Sequence, residues 1–82
     1  MFWINTTFKE YCKKQGYDLM RDDLKFIEKT LRCLPLHKHR PLLMDYCSVW
    51  KRAMNDEPSV TRKQSQGRRA ANLFLLKQTG KL

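Results

Sequence analysis

From Pro58 to Leu82 the chain has no acidic residue. That stretch holds six lysines and arginines and nets +6, whereas residues 1–34 net +2 and residues 35–57 net +1. Most of the formal +9 charge therefore sits in the last third of the chain. Glycine and proline are scarce, three of each in 82 residues, which excludes a loop-rich or low-complexity chain. No stretch alternates polar and apolar with period two, so no sheet is expected. No apolar run approaches the length of a membrane span, and the opening Met1-Phe2-Trp3-Ile4 is too short for a signal peptide. The three cysteines, Cys12, Cys33 and Cys47, are an odd set. With no secretory signal they fit a reducing compartment, and the expected location is the cytoplasm.

Catalytic patterns are missing as well. There is no nucleophile-elbow glycine pattern, no phosphate-binding glycine loop and no pair of carboxylates beside a histidine. The chain is read as a binding protein and not an enzyme, with no cofactor. A zinc site would have to use Cys33, His37, His39 and Cys47. Their spacing is not that of a standard finger, and both cysteines fall at apolar helix positions, where a thiol acts as a small hydrophobe. No metal is expected there. No helix-turn-helix, ribbon-helix-helix or homeodomain pattern fits either.

What is present is helical periodicity in four segments, punctuated by Gly16, Pro35, Pro41 and Pro58. With 41% hydrophobic and 11% aromatic residues the chain can bury a core. The expected fold is all-α: a single domain over residues 1–82, built as a small bundle of about four helices near 7–15, 20–34, 41–55 and 59–78, with a frayed tail from about 79. In the first segment Thr7 and Glu10 form a capping-box pattern and Gly16 supplies a left-handed stop. In the second, Met20, Leu24, Ile27, Leu31 and Leu34 make one stripe, Phe26 and Cys33 a narrower one. The third starts at Pro41 as a good first helical residue. Leu42, Leu43, Tyr46, Cys47, Val49, Trp50, Ala53 and Met54 make it the most buried helix. The fourth has a thin inner side of Val60, Gly67, Ala71, Phe74 and Leu75. Gly67 inside this helix costs about 1 kcal/mol against alanine. It reads as a place of close helix approach or, failing that, as a break.

The strongest binding candidate is the run from Arg62 to Asn72. Arginine, lysine, glutamine, serine and asparagine are the side chains that reach phosphates and base edges. At 100° per residue Arg62, Ser65 and Arg69 share a face opposite Gly67 and Ala71, with Arg68 and Asn72 flanking it. Arg62, Lys63, Gln66, Arg68, Arg69 and Asn72 are therefore expected to contact the partner. Lys38 and Arg40, in a basic turn before the third helix, are expected to help, because helix starts attract phosphate. Phe2 and Trp3 offer either a plug over the bundle or a surface for a partner or a second copy.

These features point to a small nucleic-acid-associated accessory or regulatory protein that tracks the phosphate backbone, with DNA favoured over RNA. The alternative is an adaptor or inhibitor that docks on an acidic protein surface of a larger complex. A membrane role is not expected, since the leucines of the fourth segment cluster at one end. A homodimer is compatible with so short a chain.

Overall fold

The computed structural model describes residues 8–80. Helix α1 spans Lys9–Gln15 and α2 spans Arg21–Leu31. A one-turn 3-10 helix, Leu36–Lys38, leads into α3, His39–Asp56. A second, Val60–Arg62, leads into α4, Lys63–Gln78. Among the described residues there is no strand, and no helix is long and apolar enough to cross a membrane. The fold is all-α, as the periodicity predicts.

Glycine closes α1. Gly16 sits at φ 84, its N–H donates to Lys13 O, and Tyr17 N–H donates to Cys12 O at 2.8 Å. A side chain at position 16 would meet open space, so the positive φ and not crowding demands glycine there. The expected cap at Thr7 lies outside the described residues, as do Phe2 and Trp3.

Helix α2 ends at Leu31, three residues before the expected stop. Pro35 disfavours the helical conformation for Leu34, and the chain turns out over residues 32–34. This leaves Cys33 exposed, so the second stripe with Phe26 does not form as expected. Helix α3 begins two residues before Pro41. In the first turn a missing N–H has no carbonyl to lose, and the ring is tolerated. His39 is buried, and its Nε2 lies 2.9 Å from Leu34 O. A carbonyl only accepts, so Nε2 carries the proton.

The core gathers around α3. Leu43, Tyr46, Cys47 and Trp50 face inward at helical spacing. Phe8 and Cys12 reach them from the first segment, Ile27 and Leu31 from α2, and Ala71 and Leu75 from α4. Trp50 is fully buried, with the Tyr17 and Tyr46 rings each 6.1 Å away between centroids. Gly67 lies against the Trp50 indole within an unbroken helix, so the close approach is realised and the break is not. Val60 corrects an expectation: it is 80% exposed, because residues 60–62 form the 3-10 turn ahead of α4 and lie off its inner face.

Ionisable groups in this core carry a pH consequence. The hydrogen bond to Cys47 (Sγ–Sγ 3.9 Å), reinforced by burial, pushes the Cys12 thiol far up. Burial, reinforced by the nearby Asp23 charge, pushes up the Tyr46 phenol. Burial does the same for Tyr17. The unfolded chain releases these protons from about pH 8.5 for a thiol and about pH 10 for a phenol, while the folded chain keeps them. Stability is then fully present below those values and falls as pH rises, by up to about 1.4 kcal/mol per pH unit for Cys12 and for Tyr46. Urea unfolding midpoints should stay level from about pH 7 to 8 and drop steeply by about pH 10.5. A flat profile across that range would contradict the buried placement of Cys12 and Tyr46.

Candidate functional site

The six polar positions expected to form the binding stripe on α4 do not stay together in the fold. Arg68 turns inward. Its Nε donates to Asp23 Oδ2 at 2.7 Å and its Nη2 donates to Asp18 O at 2.5 Å. A longer contact, 3.9 Å, reaches the Asp18 carboxylate. The guanidinium carbon lies 5.5 Å from the Trp50 ring centroid, within cation–π range. Asp23 is buried, and besides Arg68 it accepts the Met20 N–H at 2.9 Å, which fastens the start of α2. Asn72 stands between the two: its Oδ1 accepts from Tyr46 Oη at 2.6 Å and its Nδ2 donates to Asp23 Oδ1 at 3.4 Å. Lys63 extends its ammonium to Met54 O (2.9 Å) and Glu57 O (2.7 Å). It thereby ties the start of α4 to the end of α3, where Met54 O also accepts the Glu57 N–H.

Gln64, which sequence reasoning did not single out, belongs to the same inner set. Its Oε1 accepts from Asp18 N–H (2.9 Å) and from Trp50 Nε1–H (3.2 Å), and its Nε2 donates to Gly16 O (2.8 Å). One amide thus joins the turn after α1, the central tryptophan and the start of α4. Among the described residues no buried side-chain nitrogen or oxygen lacks a hydrogen-bond partner. Arg68, Asn72 and Lys63 thus each spend hydrogen bonds inside the fold, and Arg68 and Lys63 are less open to a partner than the exposed cations around them.

The outer side of α4 keeps Ser65, Arg69, Leu73 and Lys77 exposed at four-residue intervals, with Arg62 exposed just before them. Gln66 is half-buried. Lys38 and Arg40 are exposed at the start of α3. Beside them an open cavity of about 380 Å³ has Leu34, Pro41 and Leu42 for its apolar wall, with His37, Lys38 and Asp45 at its edge. The four residues weighed for zinc separate: Cys47 faces Cys12, His39 bonds Leu34 O, and Cys33 and His37 are exposed. Among the described residues no three of His, Cys, Asp or Glu gather as ligands.

The surface charge differs from the charge along the chain. Among the described residues every lysine and arginine is exposed except Lys63 and Arg68, both from the last third. Asp23, withdrawn from the surface by Arg68, comes from the first third. Folding thus moves basic character from α4 toward the N-terminal helices. Along α2 and the residue that closes it, Arg21, Lys25, Lys29 and Arg32 are exposed at spacings of four, four and three. This row was visible in the sequence as a four-residue recurrence, but the five acids in residues 1–34 masked it in a segment-wise charge count. Comparisons with family models, with curated proteins and with solved structures found no match to this chain.

Proposed function

We propose that the protein is a nucleic-acid-associated accessory protein that binds phosphate backbone through the outer side of α4. Arg62 and Arg69 are its chief contacts, and Lys77, Ser65 and Lys38 support them. The observation that carries this reading is the exposure of Arg62, in the turn just before α4, and of Arg69 and Lys77 on its outer side, in a stretch with no acidic residue from position 58 onward. The inner side of the same helix is held by Gln64, Gly67, Arg68 and Asn72, so the row stands on a rigid element. DNA is favoured over RNA. Among the described residues no phenylalanine, tyrosine or tryptophan is exposed, and splayed single-stranded bases are held chiefly by stacking on such rings. Duplex backbone asks only for placed cations.

Affinity that rests on phosphate neutralisation falls steeply with salt. Binding to labelled duplex DNA, single-stranded DNA and RNA across a salt series should rank duplex DNA first. Arg62→Glu with Arg69→Glu should reduce duplex affinity at least tenfold and flatten the salt slope, with the unfolding midpoint unchanged, since neither residue is buried. Wild-type affinity in this double variant would remove α4 as the contact surface. Absence of binding at physiological salt would remove the nucleic-acid reading.

A further inference from the structure

A second basic surface lies on the far side of the sequence from α4, and it has a different character. The turn joining α1 to α2 leaves two clefts that share Lys9 and Leu19. One, of about 360 Å³, runs between Lys9, Arg21 and Lys25 over Leu19 and Leu24, with Glu28 at its end. The other, of about 280 Å³, continues past Lys13, Tyr17 and Asp18. Together they make one trough with an apolar floor and a cationic rim. Lys9 and Lys13 stand one turn apart on α1, and Arg21 and Lys25 one turn apart on α2, so each pair is spaced by about 6 Å along its helix. All four are exposed, and among the described residues none of them forms an ion pair. Leu19 and Leu24 pack on the core from below but remain only half-buried. Met20, next to Leu19, is 53% exposed.

We propose that this trough docks an acidic amphipathic helical segment of a partner protein. The rim fixes the sign of the partner's charge. Two cation pairs one turn apart match carboxylates at positions i and i+4 of a helix. The floor fixes the rest: Leu19 and Leu24 gain by burying apolar side chains, which a phosphate backbone does not offer. Residues 1–7 of this chain contain no acidic side chain, so they do not answer the rim. The proposal is independent of the α4 reading, because the two surfaces share no residue.

The test uses the full chain, isotopically labelled, and three synthetic peptides: an amphipathic helix of leucine and glutamate, the same peptide with its leucines changed to serine, and the same peptide with its glutamates changed to lysine. The first peptide should shift the amide resonances of residues 9–13 and 19–25 and leave those of 62–77 in place. The serine and lysine peptides should each bind at least tenfold more weakly. Lys9→Glu with Lys25→Glu should weaken the first peptide at least tenfold. The same variant should leave duplex DNA binding within about twofold, and Arg62→Glu with Arg69→Glu should do the converse. Equal binding of the serine peptide would show that the floor contributes nothing and would overturn the proposal. Shifts centred on α4, unchanged affinity in the Lys9/Lys25 variant, or duplex DNA shifting residues 9–25 as strongly as the peptide would overturn it as well.

Discussion

Replacing Asp23 with alanine is expected to destabilise the protein by about 3–5 kcal/mol, the usual cost of removing one partner of a buried ion pair. The size follows from what the carboxylate holds. It accepts from Arg68, from the Met20 amide and, more weakly, from Asn72. Without it, a guanidinium whose side chain is only 20% exposed is left facing a vacated space, and the first turn of α2 loses its cap. Arg68→Ala should cost a similar amount for the mirror reason, an uncompensated carboxylate. For a chain of this length total stability is about 4–12 kcal/mol on the usual per-residue range. Either variant should therefore be largely unfolded near the lower bound and still folded near the upper. The check is urea unfolding followed by circular dichroism. Combining Asp23→Leu with Arg68→Met should cost much less than the sum of the two single changes, because it removes both charges together. A loss below about 1 kcal/mol in Asp23→Ala would mean that the pair is not formed.

Gly67→Ala should go against helix propensity. In an open helix position the change stabilises by about 1 kcal/mol. Here a Cβ would stand 2.4 Å from Trp50 Cδ1 and 2.5 Å from Nε1. The indole cannot retreat easily: it is fully buried between Tyr17 and Tyr46, and its Nε1–H is held by Gln64. Overpacking of this kind costs about 1–3 kcal/mol, enough to outweigh the propensity gain. A net loss of up to about 2 kcal/mol in thermal or urea unfolding is expected. Trp50→Phe in the Gly67→Ala background should recover part of it, since the smaller ring leaves room for the methyl. A stabilised Gly67→Ala protein would show that α3 and α4 do not approach this closely.

Much of the architecture was legible because burial writes itself into spacing. The inward row of α3, the left-handed stop at Gly16 and the close approach at Gly67 all follow from residue type and period. The boundaries slipped where local turn chemistry prevailed, at Pro35 for the end of α2 and at the 3-10 turn before α4. The inward direction of Arg68, Asn72 and Lys63 was not legible, for a physical reason. A polar residue on a helix looks the same whether it faces water or a partner, and the partner of Arg68 lies 45 residues away. A faint signal existed. Gln64, Arg68 and Asn72 recur every four residues alongside Gly67 and Ala71, so this polar row borders the packed side and calls for an acid from elsewhere. That acid is Asp23, whose place by the start of α2 already explains it as a cap: the same oxygen that accepts from the Met20 amide also accepts from Arg68.

The bonds made by Gln64 also set an order of events during synthesis. The turn after α1 is held by an amide 46 and 48 residues further along, and the start of α2 by a guanidinium 45 residues away. A nascent chain that has released only its first three helices carries Asp23 without its counter-ion and Trp50 with one edge uncovered. Local helix formation is fast, but closure across such separations is the slow step. Completion of the fold thus waits on α4, whose inner side closes contacts that the first three helices cannot close among themselves.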